Sequence, residues 1–388
     1  MTLPGRRWIV FLLAAILLTC SCRPGATIPQ IPAAQPLPTP STMAEAAPGG
    51  TGDLEKAIPG SPAASPATDT ALVPTRPPEQ PVVQIPLAGP VAVAEAEVSG
   101  MAWYGNTLVL LPQYPERLSE QGQPGVLFAL PESSILAFLD GEGQDPLVPM
   151  EIPLFSPDFT KLISDYEGFE AVAFIGDRVF LTIESGRFGP MMSYLVGGRV
   201  APGIEGISLD LSTLVSISPQ ADLINRGEEA LVMSGDRLLS LFETNGASIN
   251  PSPVAHRIDL ETLAVVTVPF PNVEYRITDA TPADSTGRFW VLNTFFPGDL
   301  SIIPLSDPIA SQSGQGATHA RQITVERLLE MQVDTDGVTL TETPPIQLEL
   351  RDSLQVRNWE ALAELPGRGF LLMTDRHPET ILAFVPQP

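Results

Sequence analysis

Five copies of one hairpin pattern, few helical periods and a spare strand on the N-terminal side of the repeats predict an all-β chain, a β-propeller. The clearest copy lies at 166–186, where two apolar runs meet at Gly176-Asp177. Glycine followed by aspartate there is a tight-turn signal. The units open with SGMA (99–102), EAVA (170–173), EALV (229–232), DATP (279–282) and EALA (360–363). Turns follow at Gly105-Asn106, Gly176-Asp177, Gly235-Asp236, Ser285-Thr286-Gly287 and Pro366-Gly367. A second apolar run follows each turn and ends near Gln113, Glu184, Glu243, Thr294 or Asp375.

Third and fourth strands are expected in the gaps: VLFALP and ILAFLD within 126–140, then MSYLV, ISLDL, VAHRIDL, AVVTVPF, VERLLEMQV and IQLELR. The last unit reaches Pro388 one strand short, and VVQIPL at 82–87 can supply that strand. Joining first and last strands in one blade closes the ring. Residues 81–388 therefore read as five blades, or six if the interval 295–358 hides a degenerate unit.

The 388-residue chain carries 42 prolines, and 13 of them fall in residues 23–80, which have no Phe, Trp or Tyr. Such a segment buries too little apolar surface to offset its ordering entropy, and reads as a disordered tether. Before it, Arg6-Arg7 and the apolar run 8–18 resemble a bacterial lipoprotein signal over residues 1–22. The run is short for a membrane-spanning helix. Cys22, with small Ser21 before it, is the expected lipidation site, and Cys20 is the alternative. The expected address is the bacterial cell envelope, lipid-anchored on the extracytoplasmic side. No other cysteine exists, so the domain has no disulfide.

The formal net charge is −24, and residues 1–90 contribute none of it, with five basic and five acidic groups. An acidic domain excludes nucleic acid as a partner. Only Lys56 and Lys161 are lysines, so cationic work falls to arginine.

The closing unit, NWEALAELPGRGFLLMTDRHPETILAFVP (358–386), resembles the motif of the "esterase-like activity of phytase" family. The unit at 170–184 also resembles the SdiA-regulated propeller family. The resemblance covers the repeat cores and implies a propeller. It implies a reaction only weakly, because one fold hosts many functions. Ser99 replaces the acid in the first unit, Thr281-Pro282 interrupts the fourth, and lysines that would bind phytate have no counterpart.

Equivalent repeat positions form a ring about a propeller's axis. Ser99, Glu170, Glu229, Asp279 and Glu360 are so aligned. Crowded carboxylates must bind a cation, pair with arginine or hold protons. As ligands, Glu170, Glu229, Asp279, Glu360, Glu167 and Glu184 would suit Ca²⁺, a hard cation that takes oxygen donors. Alternatively each acid accepts backbone N–H bonds and staples its blade to the next. Arg226, Arg276 and Arg357 each stand three residues before a motif acid. With Arg376 they are candidates for binding an anionic ligand, or else partners of the acids. His377, after Asp375-Arg376, is the one candidate general acid or base. His256 and His319 read as structural or solvated. VDTDGVTL (333–340) reads as a hairpin turn, and DGEGQD (140–145) as an acidic loop. The residues are compatible with a tethered module binding a small anionic ligand or a protein at its channel mouth. The alternative is a metal-dependent phosphoester or ester hydrolase, and a sugar-lactone hydrolase is a third reading.

Overall fold

The computed structural model describes residues 76–186, 191–351 and 355–388. Both cysteines, the apolar run 8–18 and nearly all of the tether lie outside the described residues. Among the described residues no helix is long and apolar enough to cross a membrane.

The strands form five antiparallel meanders of four. The first comprises Val98–Tyr104, Thr107–Pro112, Gly125–Pro131 and Met150–Phe155. The second comprises Tyr166–Ile175, Arg178–Ser185, Met192–Val200 and Ile207–Ile217. The third comprises Glu228–Ser234, Arg237–Phe242, Val254–Asp259 and Val265–Pro269. The fourth comprises Arg276–Ala280, Arg288–Phe295, Val325–Val333 and Ile346–Leu348. In the fifth, Trp359–Leu365, Gly369–Thr374 and Leu382–Pro386 are completed by Val83–Ile85 from the other end of the domain. Val83 pairs with Phe384 and Ile85 with Leu382, antiparallel. The first strands of successive meanders touch one another in a closed ring, the fifth against the first. That closure is what makes the sheet array a β-propeller.

Period-2 alternation builds the core. Leu108 and Leu110 face the fifth meander, packing with Leu371, Met373 and Leu382. Their neighbours Val109 and Leu111 face the second, packing with Phe169, Val179 and Leu181. Phe180 and Leu195 pack on Leu238 and Ile258, Leu239 and Leu241 on Phe289 and Val291, and Leu292 and Leu328 on Trp359 and Phe370. Each second strand is thus buried on both faces, so it reads as an unbroken apolar run. At Gly105, Gly176 and Gly235, φ is 57°, 57° and 61°, the left-handed region that the two-residue turn requires.

Three expectations about elements change. The run ILAFLD (135–140), expected as a strand, falls instead in the helix Glu132–Leu139 and its C-cap. Ile135 with Leu136, Phe138 and Leu139 lies at helical spacing and packs against the core between the first and fifth meanders. The fourth strand of that meander is Met150–Phe155 instead. Glu79–Gln80, assigned to the tether, form a strand that pairs parallel with Gln347–Leu348. The Glu79 carboxylate accepts bonds from Thr318 N, Thr318 Oγ1, His319 N and His319 Nδ1 at 2.8–3.1 Å. The interval 296–324 is a connection with short helical turns and the helix Pro308–Ser313. Val325–Val333 and Val338–Leu340 pair as the hairpin expected at 333–340.

Candidate ligand site at the channel mouth

Every inner strand carries a bulge near its start. The ladder skips Ser99, Glu229 and Glu360, and skips the pair Glu170 and Ala171. A bulge leaves one residue out of the ladder and re-aims its side chain. Here it turns Ser99, Glu170, Glu229 and Glu360 to a polar cavity of about 460 Å³. Glu184, Gln113 and Asp375 reach the same cavity from the ends of second strands, and Arg226, Arg276, Asn358 and Asp299 from the connections and strand starts.

Two arginines organise one wall. Arg276 Nη2 donates to both oxygens of Glu360 at 2.8 and 2.9 Å, and Nη1 donates to Asn358 Oδ1 at 2.9 Å. Its Nε donates to Glu243 Oε1. Arg226 Nη2 donates to Asp299 Oδ1 at 2.6 Å, and its Nε lies 3.5 Å from Glu243 Oε2. On the opposite wall Gln113 Nε2 donates to Glu170 Oε1 at 2.7 Å. Glu184 is 2% exposed, and its Oε1 has no hydrogen-bond partner among the described residues. That oxygen abuts Gly227, where a Cβ would lie 2.0 Å from it. Only glycine leaves room for the carboxyl there.

Burial raises the carboxyl pKa values, and like charges add to it. Burial and then the Glu184 charge push Glu170 well above the ordinary range, against the Gln113 bond. Burial and then Glu243 push Glu184 up to about 8, opposed by Arg226 and Arg276. Burial, Glu243 and Glu170 hold Glu229 well above its usual value. For Glu360 burial outweighs Arg276 and brings it to about 7. Arg276, despite burial, is held charged by Glu243 and Glu360. The cavity is a partly protonated acid cluster around two arginines.

Asp279 does not belong to it. In the ladder Asp279 faces Leu292, as Ala230 faces Leu241 and Ala361 faces Met373. The skipped residue in the fourth meander is Thr278, so the sequence alignment was one residue out of register there. A one-residue slip reverses the face. Asp279 instead accepts from Leu362 N at 2.7 Å and Ala280 N at 2.8 Å, tying the fourth meander to the fifth. It has the staple role that was the alternative to metal binding. The three arginines separate as well: Arg226 and Arg276 line the cavity and Arg357 does not. Arg357, 4% exposed, leaves the cavity and pairs with Glu326 Oε2 at 2.6 Å and Glu349 O at 2.7 Å. Trp359 Nε1 donates to the same Glu326 oxygen at 2.8 Å. Arg376 bonds to Glu97 at the rim. Glu167 lines the cavity beside Tyr166. His377 is exposed, and its backbone N–H, not its ring, donates to Asp375 Oδ1 at 2.8 Å. Its ring meets Phe296, with centroids 6.2 Å apart, and lies off the cavity lining. It is not placed to act as the site's acid or base. His256 is buried against Glu228 at 3.0 Å, a structural pair.

Of the expected calcium ligands, Asp279 and Glu360 are otherwise engaged. Among the described residues no three Asp, Glu, His or Cys side chains converge as ion ligands. Glu360 spends both oxygens on Arg276 and Asp279 both on backbone N–H groups, and Gln113 takes Glu170 Oε1. Sequence reasoning missed Asp299, Asn358 and Gly227. They lie in connections, where no repeat position marks them.

No family model matches this chain, and no curated protein matches it. Among solved structures it is similar to a glucose dehydrogenase at 12% identity and TM-score 0.39, over 79% of this chain and 99% of that one. An aldose sugar dehydrogenase from Escherichia coli aligns at 11% identity and TM-score 0.37, over 79% and 99% of the two chains. An exo-β-1,3-galactanase from Phanerochaete chrysosporium aligns at 11% and 0.43, over 79% and 64%. TM-scores below 0.5 carry no argument, so the fold rests on the strand pairing above.

Proposed function

We propose that the chain is a binding protein: a five-bladed propeller, lipid-anchored outside the bacterial membrane, holding a small polar ligand at its channel mouth. One observation carries this reading. Four of five inner strands use a bulge to turn a polar side chain into one cavity. Burying several carboxyls together opposes stability, and a fold has no need of it for closure. The five meanders, each one blade, support the blade count. The N-terminal signal and the Pro-rich segment support the anchor and tether.

The hydrolase reading has one observation in its favour. Glu184 and Glu360 titrate near neutrality beside open space, which suits general acid–base work. The arginines that would clamp a phosphate already hold carboxylates, so binding is the better reading.

The test is calorimetry on the full chain against small polar probes, with phytate and a chromogenic phosphate assayed for turnover alongside. Saturable binding lost in Glu229→Gln supports the binding protein. Turnover lost in Glu184→Gln or Glu360→Gln would replace it with the hydrolase.

A further inference from the structure

We infer that the ligand is a neutral polyhydroxy compound, a sugar or polyol, that exchanges hydrogen bonds with the Glu229 carboxyl in the cavity wall. The inference rests on the binding reading and names its ligand class. It departs from the anionic ligand expected from the arginines.

Glu229 carries the inference. The bulge in the third meander takes this residue out of the ladder, and it lines the cavity. It is 7% exposed, yet its carboxyl has no hydrogen bond or ion pair among the described residues. A buried polar group without a partner is costly, and native structures rarely keep one. Other acids of the wall are held from within the protein: Glu360 by Arg276, and Glu170 Oε1 by Gln113. Glu229 is the buried carboxyl that faces the open space with both oxygens unspent.

The charge of the wall selects a neutral ligand. Each guanidinium that lines the cavity is engaged: Arg276 with Glu360 and Glu243, Arg226 with Asp299, and Arg376 and Arg117 with Glu97. An entering anion meets acids and no unengaged arginine. Burial, with the neighbouring acids, holds Glu229 and Glu170 well above the ordinary carboxyl range. At neutral pH both are carboxylic acids, so an entering cation meets no countercharge there.

The hydroxyl follows from hydrogen-bond inventory. A protonated carboxyl donates one O–H and still accepts, and a hydroxyl likewise donates and accepts. The two groups satisfy each other without any charge. Tyr166 and Phe296 line the same cavity and give aromatic surface for the C–H groups of a sugar or polyol. The volume of about 460 Å³ falls within the span of small-molecule sites, about 300–1,000 Å³.

The experiment is isothermal titration of the full chain at neutral pH and physiological salt with five probes: glucose, maltotriose, sorbitol, spermidine and inorganic phosphate. Glu229→Gln replaces an oxygen that donates and accepts with an amide nitrogen that only donates, and its melting temperature confirms folding. Glu229→Met, which removes both oxygens and keeps the length, serves if Glu229→Gln does not fold. Glu120→Gln, an exposed acid outside the cavity, is the control. The expected result is saturable binding of at least one of the three polyhydroxy probes, weakened roughly tenfold or more by either Glu229 variant and unchanged by Glu120→Gln. Binding of these probes that the Glu229 variants leave intact lies elsewhere and overturns the inference. Spermidine or phosphate binding that Glu229→Gln weakens, with none of the three polyhydroxy probes bound, overturns the ligand class and leaves the binding reading standing. No binding by any probe overturns both.

Discussion

Arg276 and Glu360 join two neighbouring inner strands across the cavity wall. One guanidinium nitrogen lies 2.8 and 2.9 Å from the two carboxylate oxygens. Both residues are at least nine-tenths buried, and Glu243 shares the same guanidinium. This pair fixes the wall on which the acid cluster stands.

Arg276→Met is expected to lower stability by about 3–5 kcal/mol, because it leaves Glu360 buried without a cation and Glu243 with Arg226 alone. Urea unfolding measures it. Adding Glu360→Gln should recover part of the loss, since a neutral amide needs no countercharge. Equal unfolding midpoints for Arg276→Met and the parent would show that the pair contributes nothing.

Stability is expected to fall as pH rises from 6 to 9. Glu184 and Glu360 hold protons up to about 8 and about 7, above the ordinary 4.5. Glu170 and Glu229 are raised as well. Between the unfolded and folded pKa values the folded state binds more protons, so raising the pH favours unfolding. Their stabilising contribution is complete at acid pH and lost as pH passes the folded values. Glu243 and Asp299 also face this cluster, with Arg226 and Arg276 opposing them. Glu184→Gln should flatten the melting temperature profile and exceed the parent's melting temperature at pH 9. A parent profile that is level across this range contradicts the buried acid cluster.

Gly227→Ala is expected to destabilise by about 1–3 kcal/mol, the usual range for overpacking. Its Cβ would meet Glu184 Oε1 at 2.0 Å and Ser193 Oγ at 2.9 Å. The melting temperature of Gly227→Ala with Glu184→Ala should lie above that of Gly227→Ala alone. Additive losses would mean that the two side chains do not compete for space.

Much of this was legible in the sequence. Tight turns such as Gly176-Asp177 and apolar second strands such as 107–111 fix each hairpin, because turn chemistry and two-sided burial are local properties. The closing strand was legible from the last unit's missing fourth strand. The fourth meander misled the alignment for a physical reason. Pro282 has no N–H, so the inner strand stops at Ala280 and a longer connection replaces the two-residue turn. Register counted back from that turn slipped by one, and Asp279 took the place of Thr278. The arginine spacing inherited the same slip at Arg276, and it did not predict place: Arg226 and Arg357 share one offset, but only Arg226 lines the cavity. Residues in connections, such as Asp299 and Asn358, come together only in the folded ring. The helix Glu132–Leu139 was missed because short apolar runs do not separate helix from strand by period alone.

Glu79→Ala is expected to cost about 1.5–3 kcal/mol, the range for hydrogen bonds to a charged group. Burial would raise this carboxyl's pKa, but the bonds from His319 and Thr318 outweigh it and hold the value low. Those bonds fasten the N-terminal strand to the fourth meander. Limited proteolysis should then cut the variant near residues 76–82 sooner than the parent. Equal cutting rates would show that the strand is held by its ladder alone.

The most direct measurement is calorimetry of the full chain against small polar probes, with phytate and a chromogenic phosphate assayed for turnover alongside. Saturable binding that Glu229→Gln abolishes, without turnover, is the predicted result. Turnover that Glu184→Gln or Glu360→Gln abolishes would contradict the account.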